Sequence, residues 1–472
     1  MLVRQRCQIQ SSWRRGDFVT VDRSVLPPLR DPTALSFPSI ERQTLANGVR
    51  FCAINHDQAG LVNLVVLLRA GSAADPSGYE GLAGFTASLL DEGCTKYSTL
   101  ELHEALGNIG GRLSRDVFTD ATVLSITVLE RHLVEALDLL VEVATSPRFD
   151  DEAIRRIRTL RLSRIAQLRH SGAAVADRVF RRGVYSSHPY GHAPIGTESG
   201  LTAIDQDTLR AFHAAHYAPG CWTVLAGGGS DALRLREVVA EKIGVVPTEP
   251  VVSRSGVDTV PSDPQSLPGR LLFVPREGAV QSEIRVGALG ISRHVDGYEA
   301  VRLMDMVLGG QFESRLNLNL REAKGYTYGV RSSFDARRGR GPFAVQTAVD
   351  ASVTAEAIKE IIGEITDIRG RRPVTDDELD IARSALTRGF PRNFETVGQV
   401  VVAAMRLELF GLPDDEYATF IPRITKVDKN AVTTAAKRHL DPDGLLTVVV
   451  GPPEIRDSLC DLGFGEPLDA PE

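Results

Sequence analysis

The chain carries one design twice, and that repeat constrains its fold more than any other feature. A strand-like run, Leu61–Ala70, leads through a turn to Gly78-Tyr79-Glu80 and a helical stretch. Later, QSEIRVGALGIS leads through a turn to Gly297-Tyr298-Glu299 and the helix VRLMDMVLGG. Each copy continues with two strand-like runs, GRLSRDVF and ATVLSITVL in the first, GYTYGVRSSF and GPFAVQTAV in the second. An amphipathic helix follows in each, HLVEALDLLVEVA or TAEAIKEIIGEI. Each then reaches an Asp-Asp-Glu helix start, at Asp150-Asp151-Glu152 and at Asp376-Asp377-Glu378. Acidic residues there suit the free N–H groups and the dipole of a helix N-terminus, so they read as helix starts rather than as paired catalytic acids.

The repeat divides 472 residues, too many for one core, into two α+β units of about 200 residues each. The expected boundaries are an irregular arm at 1–38, a first domain at 39–247, a linker at 248–270 and a second domain at 271–472. The linker assignment rests on the Pro/Ser/Asp-rich stretch Thr248–Arg270, which has no helical period. Each domain is expected to hold a mostly antiparallel or mixed sheet packed with helices.

Charge and cysteines narrow the function. A formal charge of −7 lacks the basic stripe of a nucleic-acid binder. The arginine clusters at Arg337, Arg338, Arg340 and at Arg369, Arg371, Arg372 sit beside Gly or Pro, and read as solvated loops. Five scattered cysteines form no CxxC, which argues against a disulfide framework or a zinc knuckle and fits a reducing compartment. No run is long and apolar enough for a membrane helix, and the start MLVRQRCQIQSSWRRGDF lacks the apolar core of a signal peptide. The expectation is a cytoplasmic protein, or a periplasmic one if its start is misassigned.

The ten histidines give no His-x-x-Glu-His and no His-Glu-x-x-His. His213 and His216 lie three apart on a helical stretch without an evident third ligand. His188 and His192 flank a Pro/Gly turn. No G-x-S-x-G elbow or Walker loop is present. The segment LGGQFESRLNLNLREAKGYTYGV, Leu308–Val330, predicts a helix over Ser314–Lys324 broken at Gly325, then a strand, with Arg321 and Tyr328 on either side of the junction.

With AGSAADPSGYEGLAGF, SPRFDDEAIRRIR and HPYGHAPIGT, that segment makes the chain resemble the insulinase/pitrilysin family of zinc peptidases over roughly residues 40–460. The resemblance implies a LuxS/processing-peptidase-like metallohydrolase fold. Two jaws would face each other around a chamber, as in bacterial two-subunit peptidases. One jaw supplies zinc from its first half, and the other an Arg and a Tyr from its second half, matching Arg321 and Tyr328. The family's His, Glu and His fall on Gly84, Ala87 and Ser88. Its third ligand, a Glu on the helix after the Asp-Asp-Glu start, falls within Ser163-Arg164-Ile165-Ala166, with Arg164 taken as its position. The resemblance therefore implies no zinc in this chain. Zinc would lie in a homologous partner bearing His-x-x-Glu-His, and a peptide would be the substrate. An alternative is a scaffold subunit, like the processing-peptidase-like core proteins of a respiratory complex.

Overall fold

The computed structural model describes residues 35–56, 60–229, 232–248 and 270–470. Most of the expected arm and of the expected linker lies outside them. The described residues form two six-stranded sheets. The first contains β1 (Ile40–Thr44), β2 (Arg50–Ile54), β3 (Leu61–Leu68), β4 (Arg112–Val117), β5 (Thr122–Leu129) and β6 (Trp222–Gly228), in the order β1-β2-β6-β3-β5-β4. The second contains β7 (Arg270–Pro275), β8 (Gln281–Leu289), β9 (Val330–Phe334), β10 (Pro342–Asp350), β11 (Leu446–Gly451) and β12 (Leu468–Asp469), in the order β12-β7-β11-β8-β10-β9.

The repeat is thus a repeat of topology. β2 runs parallel to β6 as β7 runs parallel to β11, and the remaining inner pairs of both sheets are antiparallel. Both halves are α+β units with mixed sheets, as the sequence pattern predicts. One expected strand starts late. GYTYGVRSSF forms a strand only from Val330, because Gly325 sits at φ +65° and the five residues before Val330 form a loop.

The central strands are apolar on both faces, and the packing explains why. In β3, Val62, Leu64, Val66 and Leu68 face the first half's own helices, while Val65 and Leu67 face the helix Val397–Phe410 of the second half. The second sheet mirrors this: Ile284, Val286 and Val449 face local helices, while Val448 and Val450 face the helix Gly172–Tyr185 of the first half. Each half therefore lends one helix to the other's sheet. Glycines permit the close approach. A Cβ on Gly227 would stand 2.5 Å from Val401, and one on Gly183 would stand 2.5 Å from Leu446.

A polar contact also joins the halves, at the first arginine cluster. Gly339 N donates to the Tyr190 hydroxyl at 3.1 Å, Arg338 N donates to Asp120 at 3.0 Å, and Tyr190 donates to the same Asp120 carboxylate. Arg337 is 8% exposed, pairs with Asp335 at 2.7 Å and lies over the Tyr190 ring. The expectation of a solvated loop fails at this cluster because two tyrosines and an aspartate from the other half cover it. At the second cluster the expectation holds for Arg371, which is exposed.

Candidate functional site

The turn AADPS and the helix Leu82–Leu89 build the slot where the resemblance puts a metal. Asp75 is the anchor. Its carboxylate accepts from the backbone N–H of Gly81 and of Ala83, both at 2.7 Å, and so satisfies the start of the helix. His192 Nε2 stands 2.9 Å from the same carboxylate, and because a carboxylate only accepts, that nitrogen carries the hydrogen. The Asp75 side chain is fully buried.

The residue of the helix Asp151–Arg169 that enters the slot is Arg161, one turn before Arg164. Arg161 Nη1 donates to the Gly84 carbonyl and to Ser88 Oγ, each at 3.1 Å. Its Nη2 donates to the Pro194 carbonyl at 2.6 Å and the Ile195 carbonyl at 2.9 Å. Ser88 Oγ donates in turn to the Gly84 carbonyl at 2.7 Å. Burial pulls the guanidinium down to about 10, against the raising influence of the Asp75 carboxylate, so it stays charged at neutral pH. Arg164 is exposed and bonds Gln167 at 2.6 Å. Ala87 is buried and offers only a methyl group.

Zinc does not fit this arrangement. It takes imidazole, thiolate or carboxylate ligands. Gly84, Ala87 and Ser88 provide none, and a fixed cation reaches between them. Among the described residues no group of three or more His, Cys, Asp or Glu could hold a metal ion. The His213/His216 pair serves packing. His213 Nε2 meets the Ala144 carbonyl at 2.9 Å, and the His216 ring lies tilted against Phe212. Burial pushes both imidazoles toward the neutral form.

The second candidate region lies between Leu316 and β9. The expected helix forms, but residues Asn317–Ala323 take π-helical bonding, with Lys324 N donating to the Asn319 carbonyl at 3.1 Å. Two further π-helical segments, Met306–Gly310 and Asp367–Arg371, lie in the same half. Such segments are rare and collect at functional sites. Arg321 sits on the widened turn. Its guanidinium lies over the Phe312 ring, 4.1 Å from the centroid, and its Nη1 is 3.2 Å from Glu322.

Tyr328 is 96% exposed, yet its loop is pinned on both sides. Buried Asn317 donates to the carbonyls of Gln311 and Val330 and accepts from Val330 N at 3.1 Å. Thr347 Oγ1 reaches the Gly329 carbonyl at 3.0 Å and Thr327 Oγ1 at 2.9 Å. On the other side, Asn319 donates to Glu360 and Glu364, and Lys324 pairs with Glu360 at 3.0 Å. Phe312 and Leu318, 65% and 51% exposed, add apolar surface to the same segment. A cleft of about 480 Å³ lies elsewhere, lined by Ser292, Arg340, Arg438 and His439 among others, and includes neither candidate region. Sequence reasoning missed Arg161 and Asn317. The signal for Asn317 was an Asn between Leu316 and Leu318 in the helical stretch. For Arg161 only the register of two helices could have shown it.

Fold and slot together define a protein of two matched α+β halves in which a side chain fills the slot where the resemblance puts a metal. A model of insulinase (peptidase family M16) matches residues 50–197, and one of the peptidase M16 inactive domain matches residues 203–386. The chain belongs to the M16, or insulinase, family. It is 26% identical over 435 residues to an uncharacterized zinc protease of Mycobacterium tuberculosis, covering 91% of this chain and 96% of the relative. It is 23% identical over 395 residues to a non-peptidase homolog of Helicobacter pylori, covering 83% and 88%. A crystal structure of a peptidase M16 inactive domain from Pseudomonas fluorescens superposes with a TM-score of 0.81 at 24% identity, covering 88% of this chain and 98% of that one. A protease structure from Helicobacter pylori gives 0.82 at 19% identity, covering 88% and 100%. At these identities the structural matches speak for the fold alone. Among the described residues, no helix is long and apolar enough to cross a membrane.

Proposed function

We propose that this chain is the non-catalytic, Arg/Tyr-bearing subunit of a two-subunit zinc peptidase. Its partner would be a homologous chain carrying His-x-x-Glu-His, and its domains would run over 39–247 and 271–472. The observation that carries the reading is the contrast at Tyr328: a phenol 96% exposed on a loop fixed by buried side chains. A rigid, unshielded aromatic has little use to the isolated fold. It suits a group presented to another molecule.

In the assembled enzyme the partner's zinc would activate the attacking water. Tyr328 would donate its O–H to the oxyanion that develops as the peptide carbonyl is attacked. Arg321, already oriented by Phe312, would hold the substrate backbone with its planar fork of donors. The peptide would add as a strand to a sheet edge of the partner. Phe312 and Leu318 would be covered on assembly.

The test is reconstitution. This chain, mixed with a homologue that carries His-x-x-Glu-His, is expected to form a stable complex that hydrolyses unfolded peptides, while this chain alone cleaves none. Assembly with activity independent of Arg321 and Tyr328 would replace the reading with the scaffold alternative.

A further inference from the structure

We propose that the slot between Gly84, Ser88, Pro194 and Ile195 is a guanidinium-binding site, occupied by the chain's own Arg161 as a built-in cation that fastens the region without a metal. This rests on the reading above that the chain holds no zinc of its own.

The slot is an array of acceptors. Three carbonyl oxygens, from the helix Leu82–Leu89 and from the loop after His192, converge with one hydroxyl oxygen on a single side chain. Acceptors withdrawn from water need donors, and charged donors serve them best. A guanidinium suits the geometry because its two terminal nitrogens diverge: Nη1 serves the helix and Nη2 serves the loop. An ammonium has no such fork.

The backbone leaves room for that fork. A Cβ on Gly84 would fall 2.6 Å from Arg161 Nη2 and 2.2 Å from the Pro194 oxygen. Position 84 therefore admits glycine only. Arg158, on the same helix, also bonds carbonyls, at Leu201 and Ile204, but touches neither Gly84 nor Ser88. Arg161 alone spans both helices and the loop that presents His192 to Asp75. The charge balance agrees, since the buried Asp75 carboxylate favours a cation nearby.

Chemical rescue of the purified full-length chain tests this. Arg161→Ala is expected to lower Tm by roughly 5–10 °C, since it orphans four part-buried acceptors. Millimolar methylguanidinium is expected to restore part of that loss in Arg161→Ala while leaving the wild type unchanged, and methylammonium is expected to restore none. Arg161→Lys keeps the charge without the fork and is expected to stay destabilised. A wild-type Tm in Arg161→Ala, or an equal response of both proteins to methylguanidinium, would overturn the proposal. If Arg161→Ala does not fold, Ser88→Ala decides: a lowered Tm supports the site, and an unchanged one overturns it. The assay uses no partner, so failed reconstitution leaves this inference standing. Near-stoichiometric zinc in the purified wild type would remove it.

Discussion

Arg161 and Gly84 fit only each other. The guanidinium Nη1 donates to the Gly84 carbonyl at 3.1 Å, and Nη2 passes through the volume a Gly84 side chain would need. Placing a larger side chain at position 84 without removing Arg161 would therefore disrupt the local packing.

The smallest such change is Gly84→Ala. Its methyl group would meet the Pro194 oxygen at 2.2 Å, and backbone gives way less readily than a side chain tip. The variant is expected to lose about 2–3 kcal/mol despite the better helix propensity of alanine. In urea this reads as a lower midpoint at unchanged slope. A midpoint equal to or above that of the wild type would contradict the packing described.

Asn317 holds the Tyr328 loop through both backbone groups of Val330. Asn317→Ala would leave the buried Val330 N–H and carbonyl each short of a bond. The expected cost is about 2–4 kcal/mol, with faster amide exchange over residues 325–330 than elsewhere in the second half. Uniform protection across that half would show that the loop does not depend on Asn317.

Acid should weaken the first half through its buried imidazoles. Burial holds the folded-state pKa values of His213 and His216 below 6.5, opposed at His213 by its bond to Ala144 and at His216 by the Asp75 charge. Between those lowered values and 6.5 the unfolded chain binds more protons than the folded one, so stability rises with pH. The histidines' contribution is therefore present above 6.5 and lost as the pH falls below it. Tm is expected to drop on going from about pH 7.5 to about pH 5.5, and to drop less in a His213→Gln/His216→Gln double variant. An equal drop in both proteins would assign the acid sensitivity to other groups.

Local pattern showed most of the fold. The repeated run from strand to Gly-Tyr-Glu to helix maps onto two sheets that share the order of five strands and differ only in the edge strand beyond β2 and β7, and both Asp-Asp-Glu stretches do begin helices. What stayed hidden was non-local. The apolar faces of Val397–Phe410 and Gly172–Tyr185 are visible in sequence, but not that each covers the other half's sheet. Arg337 looks like loop charge until Tyr190 and Asp120 arrive from the other half. At the slot, the absence of an imidazole or carboxylate at Gly84, Ala87 and Ser88 was legible residue by residue. Which arginine takes the space was not, because a shift of one turn along the helix Asp151–Arg169 exchanges Arg164 for Arg161.

The two-subunit reading bears most directly on Tyr328. Because the phenol is 96% exposed, Tyr328→Phe orphans no buried group, and Tm is expected to stay unchanged. If the hydroxyl serves the oxyanion in the assembled enzyme, its loss should cost on the order of 3 kcal/mol, or ~100-fold in kcat. Arg321→Lys keeps the charge but loses the planar fork, and is expected to impair the same reaction. The measurement is peptide hydrolysis by the zinc-bearing homologue mixed with wild-type or Tyr328→Phe chain, with assembly followed separately by size-exclusion chromatography. The account predicts normal assembly and an approximately hundredfold loss of turnover. Normal assembly with full turnover would contradict it.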